Sequence, residues 1–325
     1  MKPSSTAFLS LALLCPLPAI AGSLTLTIDN DGAIGSDRDY SSGLFLQYHA
    51  GNQAVAQAPD ALQRLSHWLP GHDRQQLGWS VALGQQIWTP EDIEAPLPPE
   101  GERPYAGLLF TQWGLQRSAP DRADRFDLML GTVGPRAMAE EGQKFVHLLI
   151  GSDEPMGWDS QIEDQWIANL DYLGDRLIQR RDVGLGGEQD SALSYRVRAG
   201  NFQSELALGG VVRWGEGLAS SLGSAGFVQG NLVDTRLLNN GAGQFGFIGL
   251  EGRYRFNDIT IEGDRPEEVP DTEITPWQAS LVLGYVYYRS RWGASLSFEG
   301  HTHAYEEARH QFDGYASVNL FWRFR

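Results

Sequence analysis

Three short groups of residues in this sequence have side chains that do chemistry. The first is His147, inside a stretch running from Gly134-Pro135-Arg136 to Gly157-Trp158-Asp159-Ser160-Gln161. An imidazole titrates near neutral pH and is the usual general base. The second is Asn30-Asp31, whose amide and carboxylate oxygens are hard donors of the kind that hold Ca2+ or Mg2+. The same Asn-Asp-Gly run is also a favourable turn sequence. The third is Ser152-Asp153-Glu154, just after His147. Acidic side chains at a helix end oppose the helix dipole; a bound cation relieves this, and so does plain solvation. Two weaker groups are His301-Thr302-His303, two imidazoles on one face of a strand end, and Arg103 with Tyr105, which suit a phosphate or sugar contact or a membrane rim.

Other chemistries lack their motifs. There is no Gly-x-Ser-x-Gly elbow, and Ser220-Ser221 sit in a Gly/Ala-rich loop. No His-Glu-x-x-His or cysteine-rich zinc pattern is present, and no phosphate-binding glycine loop joins a strand to a helix.

His147 needs a helix to position it. Pro135 suits a first helical turn, and Gly151, with Pro155 and Gly157 beyond, suits the stop. Met138, Gly142, Phe145 and Leu149 recur at helical spacing, which predicts a stripe packed on the body of the protein. Glu140, Gln143 and His147 then fall on the opposite side, turned to solvent or to a cleft.

The remaining chain alternates with period two. Leu24, Leu26 and Ile28 alternate with Thr25, Thr27 and Asp29. Further strands are expected over 42–50, 77–89, 105–117, 125–133, 167–181, 192–199, 204–214, 244–255, 278–288 and 292–300. The last strand is the clearest, with Ala316, Val318, Leu320, Trp322 and Phe324 on one face. A short rim helix is expected within 54–69, and a long loop or small helix within 218–240. About a dozen strands in an all-β chain, with no solenoid repeat, point to one antiparallel transmembrane β-barrel with short helices near its outer rim. A soluble β-sandwich is the competing architecture.

Composition agrees with the barrel. Residues 1–21 read as a secretory signal, with Lys2, an apolar run from Phe8 to Leu14 and an Ala19-Ile20-Ala21 cleavage site; residues 22–325 form the single barrel domain. The lone cysteine, Cys15, falls inside the signal, so the exported chain folds without disulfides. The mean hydropathy of -0.31 argues against a helical membrane protein but not against a barrel, where only alternate residues face lipid. Abundant glycine (38), tryptophan (10), tyrosine (11) and phenylalanine (14) suits aromatic girdles. A formal charge of -16 disfavours nucleic acid, and an acidic protein at an anionic lipid surface calls for a bridging cation or local basic residues.

Several short pieces, in this order, resemble one family. They are Asn30-Asp31 with Asp37-Arg38-Asp39-Tyr40-Ser41-Ser42-Gly43, then Gly84-Gln85-Gln86-Ile87-Trp88-Thr89-Pro90, and Arg103-Pro104-Tyr105-Ala106-Gly107. Gly134-Pro135 through Gln143, Val146-His147 and Gly157-Trp158-Asp159-Ser160-Gln161 follow. In these pieces the chain resembles the outer-membrane lipid A 3'-O-deacylases, Ca2+-dependent esterases that trim lipopolysaccharide. From about Ala192 onward only general barrel character matches. The resemblance implies a twelve-stranded barrel, here taken as a monomer in the bacterial outer membrane, with its site near the outer rim in reach of outer-leaflet lipid. It implies that His147 is the general base for water attack on the ester carbonyl. It places Asn30, Asp31 and a loop hydroxyl in the site, with Ser41 the assignment and Ser36 the competitor. It also implies an acidic residue after the histidine, Glu154 with Asp153 as alternative. Asp31 and Glu154 are the expected Ca2+ ligands. A non-enzymatic pore and a Ser-His phospholipase-like barrel are the rival readings.

Overall fold

The computed structural model describes residues 22–35, 38–50, 53–54, 60–67, 76–184, 187–225, 227 and 241–324. The expected signal, Ser36, and parts of the 54–69 and 218–240 segments lie outside these residues.

Twelve long strands close into one antiparallel barrel. They are β1 (Gly22–Asn30), β2 (Asp39–Ala50), β4 (Gln76–Thr89), β5 (Ala106–Ala119), β6 (Arg122–Val133), β7 (Gln165–Gly184), β8 (Gly187–Gly200), β9 (Gln203–Glu216), β10 (Gly243–Asp258), β11 (Trp277–Tyr288), β12 (Trp292–Thr302) and β13 (Phe312–Phe324). A two-residue strand, β3 (Gln53–Ala54), adds to the edge of β4. Each long strand pairs with its neighbours in sequence; β2 pairs with β4, and β1 pairs with β13 to close the ring. The short helices are α1 (Asp60–Ser66), α2 (Ala139–Ile150) and α3 (Ile259–Glu262).

Polarity decides between a sandwich and a membrane barrel. The outward positions are apolar and exposed: Leu24, Leu26 and Ile28 on β1, Leu44 and Leu46 on β2, Leu206 and Leu208 on β9, Val318 and Leu320 on β13. The inward positions between them are polar and buried: Thr25, Thr27 and Asp29, then Gln47 and His49, then Ser317 and Asn319. A soluble protein has the reverse arrangement, whereas a barrel in hydrocarbon requires this one.

The lumen is filled by side chains. Tyr40, Phe45, Trp88, Phe110, Phe202 and Tyr315 belong to one buried cluster, and Phe227, Phe245, Phe247, Tyr288 and Phe321 to a second. Ion pairs accompany them. Arg196 bridges Glu205 and Glu251, both at 2.7 Å, and Arg255 bridges Glu205 at 2.9 Å and Asp258 at 2.7 Å. Such forked pairs keep arginine charge in a low-dielectric interior. A lumenal cavity bordered by Phe45, Phe110, Arg196, Glu205 and Arg255 measures only about 50 Å³.

The strand ends differ from the sequence expectation in an instructive way. β2 begins at Asp39 rather than residue 42, because a β-bulge sits at Ser41: Tyr40 pairs with Trp88 and Ser42 pairs with Ile87. The extra residue breaks the two-residue period that marks a strand. β10 likewise runs on to Asp258 past an irregularity between Arg255 and Asn257.

A filled lumen makes a pore reading testable. Planar-bilayer recordings of the folded protein are expected to show no stepwise conductance above the bare bilayer. Porin-like steps would mean that the lumen opens.

Candidate active site

The Ser41 bulge, the end of β1 and helix α2 all lie at the same rim. At that rim the register aligns Asn30 with Ser42, Ser42 with Ile87 and Ile87 with Gly107, one outward-facing row across β1, β2, β4 and β5.

Asn30 is exposed and continues the outward stripe of Leu26 and Ile28, so it is a polar group at the top of a lipid-facing face. Asp31, the next residue, is buried. Its Oδ2 accepts the Arg38 backbone N–H at 2.6 Å, which closes the β1–β2 loop over it. The Ser41 carbonyl accepts from Asn30 Nδ2 at 3.2 Å and from the Asp31 backbone N–H at 3.3 Å. The Ser41 hydroxyl is paired with Thr89 Oγ1 at 2.5 Å. The structure therefore joins Asn30, Asp31 and Ser41 into one unit. With Nδ2 donating to the Ser41 carbonyl, the Asn30 amide has Oδ1 left as its acceptor, while the Asp31 carboxylate is buried next to it in the chain. Hard oxygens of this kind fit a Ca2+ ion.

A second layer holds the loop from the lumenal side. Asp39, at φ 63°, is a left-handed non-glycine residue, and it is ion-paired with Arg103 and accepts from His301 Nε2 at 3.2 Å. Arg103 also donates to Thr260 Oγ1 at 2.9 Å and lies over the Trp88 ring. Arg38 Nε pairs with Asp313 at 2.7 Å. Arg103 and Tyr105 are thus buried supports and not the rim contacts their sequence suggested, and His301 binds Asp39.

Helix α2 lies on the outside of the wall. Pro135–Ala137 form a single 3-10 turn, and left-handed Met138 starts the helix proper. Gly107 faces outward beneath it, where a Cβ would stand 2.3 Å from Ala139 Cβ, so only glycine admits this approach. Gln85 on β4 donates to the carbonyls of Ala137 at 2.7 Å and Met138 at 3.1 Å. Gln143 accepts from Trp158 Nε1 at 2.8 Å, and Trp158 packs on Tyr105 with ring centroids 4.9 Å apart.

This placement departs from the expected helix faces, although Gly142 packs on Gln85 as expected. Gln143 is 4% exposed, while Met138, Phe145, Val146 and Leu148 are exposed, Leu148 to 80%. The apolar stripe looks away from the protein because the medium there is lipid. Amphipathicity gives the period of a helix but not which medium its apolar face meets.

His147 stands in the last turn, half-buried. Left-handed Gly151 ends the helix, and the N–H groups of Gly151 and Ser152 both donate to the His147 carbonyl, at 2.8 and 3.1 Å. The chain then turns back and sets the Asp153 carbonyl 2.6 Å from His147 Nδ1. A carbonyl only accepts, so Nδ1 carries a proton, and in the neutral ring it is Nε2 that holds the lone pair. The acidic step thus meets the imidazole through the Asp153 main chain. The Glu154 side chain is instead 3.4 Å from Lys144 Nζ, which also pairs with Glu140 at 3.0 Å. The hydrogen bond to Glu140 leads the effects that raise the Lys144 pKa, so the ammonium stays charged.

Among the described residues no three His, Cys, Asp or Glu side chains form a group that could hold a metal ion. The wedge of Gln143, Trp158 and Tyr105 and the Gln85 brace were not identified from spacing. Glycines at 107 and 157 were the available signal, since a Cβ on Gly157 would stand 2.4 Å from Tyr105.

One family model and several solved structures resemble this chain. The family model for the outer membrane protein LpxR matches residues 7–324. Among solved structures, LpxR from Salmonella typhimurium aligns with a TM-score of 0.77 at 20% identity, covering 92% of this chain and 99% of that one. The β domain of the Bordetella autotransporter BrkA aligns at 0.44 and 8% identity, covering 94% and 98%. The translocator domain of NalP from Neisseria meningitidis aligns at 0.35 and 10%, covering 94% and 87%. No curated protein matches the sequence.

The Gly107–Ala139 contact is testable without an activity assay. Gly107→Ala is expected to weaken α2 docking by ~1–3 kcal/mol and speed tryptic cleavage after Lys144, with the barrel still heat-modifiable on gels. Adding Ala139→Gly should restore protection. Unchanged proteolysis in the single variant would show that the helix docks elsewhere.

Proposed function

The chain belongs to the family of the outer membrane protein LpxR, and on that premise we propose that it is a Ca2+-dependent lipid A 3'-O-deacylase. It would hydrolyse the ester that holds the 3'-acyloxyacyl chain of lipopolysaccharide. The observation that carries this reading is the 2.6 Å contact of His147 Nδ1 with the Asp153 carbonyl: with Nδ1 donating, Nε2 of the neutral ring is left as a base.

In this mechanism Nε2 takes a proton from water as the oxygen attacks the ester carbonyl. The imidazolium that forms keeps its Nδ1–H bond to Asp153 and then returns a proton to the departing sugar oxygen. Asp31 and the Asn30 Oδ1 are the oxygens that would hold Ca2+, which supplies polarisation of the ester carbonyl and stabilises negative charge on its oxygen. Glu154 would join them only by leaving Lys144. Ser41 positions the pair through its carbonyl, and its bulge fixes where that carbonyl points. No serine or cysteine nucleophile is needed. The outward direction of Asn30 supports a substrate that approaches from within the leaflet.

Two measurements test the reading. Mass spectrometry of lipid A from cells producing the protein is expected to show loss of the 3'-acyloxyacyl mass, and none in cells producing His147→Ala. Removal of a base of this kind costs about 10²–10⁴-fold in rate; full activity in His147→Ala would remove it from the mechanism. Chelation with EDTA should abolish cleavage and added Ca2+ restore it; activity indifferent to EDTA would dismiss the metal.

A further inference from the structure

Lysine is nearly absent from this protein. The sequence contains 25 lysines and arginines, yet the only lysines are Lys2 and Lys144. The lumen uses arginine in fixed, forked pairs, as where Arg213 meets both oxygens of Asp190 at 2.9 and 2.7 Å. Arginine suits permanent bidentate pairing; lysine carries a compact charge on a flexible stem that exchanges partners easily.

Lys144 stands three residues before His147, on the same side of α2. Its side chain is 39% exposed, and its two carboxylate partners, Glu140 and Glu154, are themselves 39% and 69% exposed. Exposed pairs of this sort contribute little and open readily. Around it the helix presents Phe145, Val146 and Leu148 to lipid, so the ammonium sits at the boundary between acyl chains and headgroups. An anion arriving at His147 from the leaflet meets this cation in a protein whose formal charge is -16.

We propose that Lys144 is a specificity-determining residue that binds a phosphate of the lipid headgroup, exchanging Glu154 for the phosphate as substrate enters. This rests on the lipid A reading above. The phosphate recognised is the one carried by the lipid itself, which holds the glucosamine backbone while His147 acts on the ester.

The test uses purified full-length protein in detergent, with lipid A and its enzymatically dephosphorylated form as substrates. Lys144→Gln is expected to raise KM for phosphorylated lipid A about fivefold with kcat held, which corresponds to about 1 kcal/mol. Its KM for the dephosphorylated form should equal that of the wild type. Lys144→Arg should recover most of the loss, and Glu140→Gln, which breaks the helix pair but keeps the cation, should not reproduce it. An equal loss on both substrates, or the same loss in Glu140→Gln, would assign Lys144 a structural role and overturn the proposal. Added inorganic phosphate that alters wild-type turnover of dephosphorylated lipid A would point to free phosphate as the ligand, and overturn the headgroup assignment. Equilibrium binding of the two lipids, measured without turnover, separates this proposal from the deacylase reading. Phosphate-dependent binding that Lys144→Gln weakens sustains it even if no ester is cleaved. Binding indifferent to phosphate overturns it even if the ester is cleaved.

Discussion

Hydrocarbon offers no hydrogen bonds, so every polar group set on the outside of a barrel must bring its own partner. Several polar groups of the candidate site meet that constraint. Asn30 gives its amide N–H to Ser41, Gln85 spends its amide on the carbonyls that open α2, Gln143 is satisfied by Trp158, and His147 donates to Asp153. The atoms left for chemistry are those these bonds do not use: an imidazole nitrogen and the Asn30 amide oxygen. Partner satisfaction and catalytic availability are thus two results of one arrangement.

Two local departures from regularity make the arrangement possible. At Gly107 the missing side chain lets a helix backbone approach the wall, which otherwise carries leucines. At Ser41 an additional residue turns a main-chain carbonyl toward Asn30 and Asp31. The strained Asp39 next to it is held by Arg103 and His301 from the lumen. The lumenal side chains therefore brace the outer site.

Much of the barrel was legible in the sequence because a wall between lipid and a polar lumen forces a two-residue alternation, and Leu24, Leu26 and Ile28 display it plainly. Two boundaries read short where the period is interrupted, the start of β2 at its bulge and the end of β10, and β8 begins at Gly187, five residues before the expected start and away from the site. The helix was found by its period and turned the wrong way, since Phe145 and Leu148 obey amphipathicity toward lipid and not toward protein. His147, Asn30 and Asp31 were identifiable as chemical types. Their supports were not, because Gln143 and Trp158 are one hydrogen bond apart in space and fifteen residues apart in the chain.

The outward direction of Asn30 also determines which concentration matters to this protein. Among the described residues aromatic clusters and ion pairs occupy the lumen, whereas Asn30 faces outward from the wall. On the deacylase reading the substrate arrives sideways, by diffusion in the plane of the leaflet. Encounter then depends on the mole fraction of lipid A around the barrel and on how freely that leaflet flows. Divalent ions that crosslink neighbouring headgroups would slow the supply, even where the same ions serve the reaction itself.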